Sequence, residues 1–144
     1  MAEPARRRRV ALIWVHGLGS VFSSGQPLIV STRLTASGVG YFKFNTRGHD
    51  VVAGRGRVLA GAAFERFGES VRDIRAMITF ARQCGYATVV LAGHSTGANK
   101  VLYYTARARD RRVAGLGLLG PVSDIAGEVK RIGAPALRRR VAMA

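Results

Sequence analysis

Three short segments are apolar almost without a break: Arg9 to Val15 (RVALIWV), Ala87 to Ala92 (ATVVLA) and Val113 to Leu119 (VAGLGLL). A strand with one wet face alternates polar and apolar residues. A strand that does not alternate, and is rich in branched side chains, needs cover on both faces. In a parallel sheet helices give that cover, because parallel neighbours are joined by long crossover connections.

The intervening segments read as those connections. Leu28 to Ala36 fits a short helix, begun by Pro27 and ended at Ser37-Gly38. Tyr41 to Asn45 reads as a further strand, followed by a long polar loop from Thr46 to Gly61. Phe64 to Gln83 is the clearest helix: Phe67, Val71, Ile74, Ile78 and Ala81 share one face, and Cys84-Gly85 closes it. Another helix is expected from Thr96 to about Arg109. From Ala126 onward the composition is helical again, with Pro135 suited to a first turn. The expected fold class is α/β, a parallel sheet of about four strands flanked by helices on both faces.

At 144 residues the chain suits one domain with a substantial core. We expect residues 9–144 to form it and residues 1–8 to be a basic tail. Hydrophobic residues at 48% and charged residues at 22% argue against wholesale disorder. The longest apolar run, Val113 to Val122, falls far short of the ~18 residues of a membrane span. Arg6 to Arg9 followed by Val10 to Val15 imitates a secretory signal, but it ends on His16-Gly17 without a cleavage site. A cytoplasmic location is therefore expected. A lone Cys84 excludes internal disulfides and a cysteine-based metal cluster.

The formal charge of +15 raises the question of a polyanionic partner. All of the 23 basic residues but Lys43, Lys100 and Lys130 are arginine, with runs at Arg6 to Arg9 and Arg138 to Arg140. The other arginines are scattered, and the aromatic residues sit in apolar segments. No helix-turn-helix, zinc-finger or RNA-recognition spacing occurs. The expectation is a solvated basic surface with no specific nucleic-acid partner, and salt-sensitive sticking to polyanions at most.

Chemistry enters at Gly93-His94-Ser95-Thr96-Gly97. A buried strand runs into this G-x-S-x-G pattern and a helix runs out of it, the setting of a nucleophile elbow. The serine occupies a strained turn, and glycines on both sides remove clashes with neighbouring backbone. The helix start then offers an unpaired Thr96 N–H where an oxyanion would form. His16-Gly17-Leu18-Gly19 follows the first strand, and its glycines let the main chain approach a substrate. The Leu18 N–H is the candidate second donor of an oxyanion hole.

With these residues in hand, the chain resembles the α/β-hydrolase superfamily from about Val10 to Asp124. The resemblance rests on VHGLGS (Val15 to Ser20), FNTRGHD (Phe44 to Asp50) and LAGHSTG (Leu91 to Gly97), in that order. It leans toward the small esterase and acyl-hydrolase branch. It implies that the four strands are the family's third to sixth, that Ser95 is the nucleophile and that Leu18 and Thr96 supply oxyanion N–H groups. It also implies the chain order serine, acid, histidine. Here Asp110, Asp124 and Glu128 follow Ser95, and no histidine does. Asp124 lies where some members carry the acid; it also reads as a loop or helix-capping aspartate. Of the histidines present, His94 flanks the nucleophile and points away from it, and His16 reads as a local packing residue. His49 sits on a loop at the same edge of the sheet.

The expected activity is serine-dependent hydrolysis of carboxylic esters or related small acyl substrates. It is expected to be incomplete and weak or absent in this chain, as in a truncated hydrolase fold. A non-catalytic hydrolase-like binding module and a polyanion-binding basic protein are the alternatives. No metal or organic cofactor is implied. The apolar last strand is an edge, so self-association through it is expected.

Overall fold

The computed structural model describes residues 9–24 and 28–142. The basic tail at 1–8 and the helix-starting Pro27 lie outside the described residues. In chain order the elements are β1 (Val10–Val15), α1 (Leu28–Ala36), β2 (Gly40–Lys43), β3 (Ala53–Arg55), β4 (Val58–Ala60), a single 3₁₀ turn at Phe67–Glu69, α2 (Ser70–Gln83), β5 (Thr88–His94), α3 (Thr96–Ala108), β6 (Val113–Leu119), α4 (Asp124–Ile132) and α5 (Ala134–Ala142).

The main sheet has the order β2-β1-β5-β6 and is parallel throughout. Its centre is the pair of unalternating strands. Ile13 of β1 stands between Phe42 and Leu91, and Val15 beside Gly93. Ala11, Ile13 and Val15 pack with Val89 and Leu91 against Ile74, Ile78 and Ala81 of α2 and Val101 and Tyr104 of α3, all buried. Trp14, Tyr41 and Ala92 form a smaller cluster with Leu12 and with Leu34 of α1 on the other face. One face is thus covered by α2 and α3 and the other by α1, as the missing alternation requires. The fold is α/β with helices on both faces. No helix among the described residues is long and apolar enough to cross a membrane.

Several expectations shift. The strand expected over Tyr41 to Asn45 runs over Gly40–Lys43 instead. Asn45 leaves the ladder because its Oδ1 accepts the Phe22 N–H at 2.7 Å, tying the strand end to the turn after β1. The segment from Thr46 to Gly61, expected as loop, contains the antiparallel hairpin β3–β4, turned at Gly56 with φ 64°. Its strands have three residues each and keep Val58 and Leu59 exposed, so no burial pattern announces them. The helix expected from Phe64 begins only after the 3₁₀ turn. Arg66 is extended (φ −91°, ψ 112°), while Glu65 just before it reaches inward to a buried lysine. Phe67, expected on the buried helix face, is 41% exposed and packs edge-on against Tyr103 of α3. The helical tail is two helices divided at Gly133, whose φ of 80° disfavours any other residue.

Candidate active site

β5 ends at His94 and α3 begins at Thr96, leaving Ser95 alone in the turn at φ 55°, ψ −128°. A non-glycine residue held there stores strain of about 1–3 kcal/mol, and surrounding structure must over-determine it. Here the Ser95 N–H donates to the Leu119 carbonyl at 2.9 Å, and its own carbonyl accepts the Ala98 N–H at 3.0 Å. A methyl group on Gly93 would collide with the Gly97 backbone, and one on Gly97 with the Val15 and His16 carbonyls. Only glycine at both positions lets α3 start this close to the ends of β1 and β5.

The turn after β1 arrives at the same point. A Cβ on Gly17 would lie 3.2 Å from the His94 carbonyl oxygen and from Ser95 Cβ, and 3.7 Å from Ser95 Oγ. The two glycine motifs, far apart in sequence, are therefore in contact. Leu18 is exposed on this turn, beside Gly19 at φ 62°. The Thr96 and Gly97 N–H groups that open α3 have no intrahelical acceptor, and the helix dipole makes this end positive. The Thr96 hydroxyl oxygen is buried with no hydrogen-bond partner.

His16 is buried and fully engaged. Its Nε2 accepts the Thr46 N–H at 3.0 Å and lies 3.2 Å from Thr46 Oγ1. A backbone N–H can only donate, so the ring proton belongs on Nδ1, which donates to the Gly17 carbonyl at 2.9 Å. Burial lowers the pKa of His16, Lys100 and His49 add to that, and the Gly17 bond and Glu65 oppose it. His16 is thus a neutral, locked tautomer, in keeping with local packing. His49 is placed differently: its Nδ1 pairs with Asp50 Oδ2 at 2.8 Å on a half-exposed loop. That loop abuts the glycine turn, since the Asp50 N–H donates to the Ser20 carbonyl at 3.3 Å. Arg47 anchors the same loop to α2 through Asp73 and to the 3₁₀ turn through Glu69, and the two carboxylates hold its guanidinium well above the usual pKa. His94 is the last residue of β5.

Asp124 is the first residue of α4, with Ser123 in the cap position and making no side-chain capping bond. The chain before it is drawn toward the elbow by Asn99 of α3. Asn99 Nδ2 donates to the Val122 carbonyl at 2.7 Å, and the Val122 N–H donates back to Asn99 Oδ1 at 3.0 Å. Among the described residues, no cluster of three or more His, Cys, Asp or Glu could hold a metal ion.

Beneath the two turns lies an ion pair that sequence reasoning passed over. Lys100 Nζ is 2.7 Å from Glu65 Oε1, with side chains 1% and 6% exposed. It is a contact of charges, without an oriented hydrogen bond at Glu65 Oε1. Lys100 also lies 3.4 Å from Thr46 Oγ1. The signal was available: Lys100 stands on the inward face of α3, among Gly97, Val101 and Tyr104.

A four-stranded parallel sheet with helices on both faces and a strained serine between strand and helix define a member of the α/β-hydrolase superfamily. A family model described as Hydrolase_4, serine aminopeptidase S33, matches residues 6–143, and the chain belongs to that family. Among solved structures it is similar to Est1E from Butyrivibrio proteoclasticus, whose structure has ferulic acid bound: 21% identity, TM-score 0.70, covering 90% of this chain and 51% of that one. It is also similar to the Paleococcus ferrophilus monoacylglycerol lipase, at 24% identity and TM-score 0.60, covering 92% and 50%. The α/β hydrolase GrgF from Penicillium sp. sh18 matches at 18% identity and TM-score 0.66, covering 96% and 47%. The chain spans about half the length of these structures. A search of curated proteins found no match.

Proposed function

We propose that this chain carries the nucleophile and oxyanion elements of a serine-dependent hydrolase of carboxylic esters or related small acyl compounds. In this reading Ser95 attacks the substrate carbonyl, and the N–H groups of Leu18 and Thr96 hold the oxyanion. Water then hydrolyses the acyl-enzyme. The observation that supports it most is Ser95 itself, held at φ 55° in contact with the Gly17 turn. Strain of that kind needs a reason, and presenting Oγ in front of two sets of backbone donors is one. The esterase and lipase among the similar folds agree with an ester substrate.

General-base help for Ser95 has no partner in His16, whose two ring nitrogens are both occupied. Among the described side chains, the His49–Asp50 pair is the histidine–acid pair on the loop beside the glycine turn, and Asp124, first residue of α4, is the acid the family resemblance suggests. A serine without an aligned base reacts slowly, though oxyanion contacts alone sustain some rate above water, about 10³–10⁴-fold in well-studied triads. The test is covalent labelling of the folded chain with a fluorophosphonate probe, read by peptide mass spectrometry, with Ser95→Ala as control. An adduct on Ser95 that disappears in the variant is expected. A folded chain that takes no label at Ser95 overturns the reading.

A further inference from the structure

The ion pair beneath the elbow sets the direction of the Thr46 hydroxyl and so reinforces the backbone bonds that orient His16. Lys100 has three donors and no acceptor, so toward Thr46 Oγ1 at 3.4 Å it can only donate. The Thr46 hydroxyl proton is then left for His16 Nε2, 3.2 Å away, where the Thr46 N–H also points at 3.0 Å. The two Thr46 donors share the single lone pair of Nε2, so the ring proton is on Nδ1 and holds the Gly17 carbonyl at 2.9 Å. That carbonyl and the Leu18 N–H belong to one planar trans peptide and point in opposite directions, so holding one holds the other.

Stability alone does not account for a charged pair at this place. An ion pair removed from water is often no better than apolar side chains of the same volume. Lys100 is the charged member of a buried α3 face whose other members are Gly97, Ala98, Val101 and Tyr104. The pair joins α3, the chain ahead of α2 and the loop after β2 at one point below the glycine turn.

We propose that Lys100, held by Glu65, is a positioning residue that acts through Thr46 and His16 to set the direction of the Leu18 N–H. The inference rests on the oxyanion role given to that N–H above. Protonation of His16 would undo the arrangement, because a second ring N–H would face the Thr46 N–H donor. The charged and titratable groups around His16 are Lys100 and His49, which oppose its protonation, and Glu65, which favours it.

The test is nitrogen and carbon NMR of the His16 ring and the Leu18 amide across pH 4–8, with circular dichroism to verify folding. In the unaltered chain His16 is expected as the Nδ1–H tautomer, titrating below a free imidazole. Lys100→Met should raise its titration midpoint, with the Leu18 amide moving as His16 titrates. Lys100→Arg should restore both. A folded Lys100→Met chain with an unchanged His16 titration and Leu18 amide overturns the proposal. If Lys100→Met does not fold, Thr46→Val removes the hydroxyl link and leaves the ion pair. It should shift His16 Nε2 and the Leu18 amide, and unchanged signals there overturn the proposal equally. None of these signals needs a reactive Ser95, so a failed labelling experiment removes the oxyanion role without altering them.

Discussion

The centre of the sheet and its β6 edge are built from similar residues and meet different fates. β1 and β5 bury their side chains between α2, α3 and α1, and Ala11, Ile13, Val15, Val89 and Leu91 are inaccessible. β6 is as apolar in sequence, yet Leu116, Leu118 and Leu119 remain partly exposed, and so do Ile125 and Val129 of α4. The difference is one of neighbours. β5 has a strand on each side, whereas β6 pairs only with β5 among the described strands. Apolar composition reports what a strand is suited to, and burial reports what packs against it.

The largest effect should come from breaking the centre. Ile78→Ala removes a wholly buried side chain of α2 and should cost about 2–5 kcal/mol. Urea unfolding followed by circular dichroism would measure it. A cost comparable with surface substitutions would mean that the α2 face is loosely packed.

An intermediate effect is expected where α3 hands over to β6. Tyr104 donates to Asp110 Oδ2 at 2.6 Å, and Arg112 grips both carboxylate oxygens. Arg112 foremost, with Tyr104, holds the Asp110 carboxyl well below the usual range, while burial and the carboxylate push the Tyr104 hydroxyl up to about 12. Near pH 4 the unfolded chain therefore binds more protons at this residue than the native one. Asp110 contributes stability above the ordinary carboxylate pKa, and that contribution is lost as pH falls toward the native value. Its size is on the order of 2 kcal/mol. Asp110→Asn should flatten the loss of stability between pH 5 and pH 2; an acid limb as steep as that of the unaltered chain would refute the assignment.

The smallest effect on stability should come from the edge. Leu118, 41% exposed, changed to Lys should cost under about 1 kcal/mol. The same change should suppress concentration-dependent association in sedimentation velocity, if the open β6 edge pairs with a second copy. Equal association before and after the change would move that contact elsewhere.

These contrasts mark how far the sequence could be read. β6 over Val113–Leu119 and α1 over Leu28–Ala36 run as expected, because β6 is an apolar segment closed by Gly120 and α1 lies between Pro27 and Ser37-Gly38. The hairpin β3–β4 was not legible, since short exposed strands held by backbone bonds carry no hydrophobic period. At the site, the two glycine motifs were legible and were expected to converge, while the Lys100–Glu65 pair beneath them was not.

The amino-acid order determined the parallel sheet, the strand–serine–helix turn and the need for glycine at 93. Each follows from local sterics or from periodic burial over a few residues. Tertiary structure alone decided that Gly97 must clear the Val15 and His16 carbonyls, that His16 is locked as one tautomer and that Lys100 and Glu65 meet beneath the two turns. Those pairings join residues distant in the chain. Their energies depend on burial and on the direction of each donor, and neither exists until the sheet has closed around them.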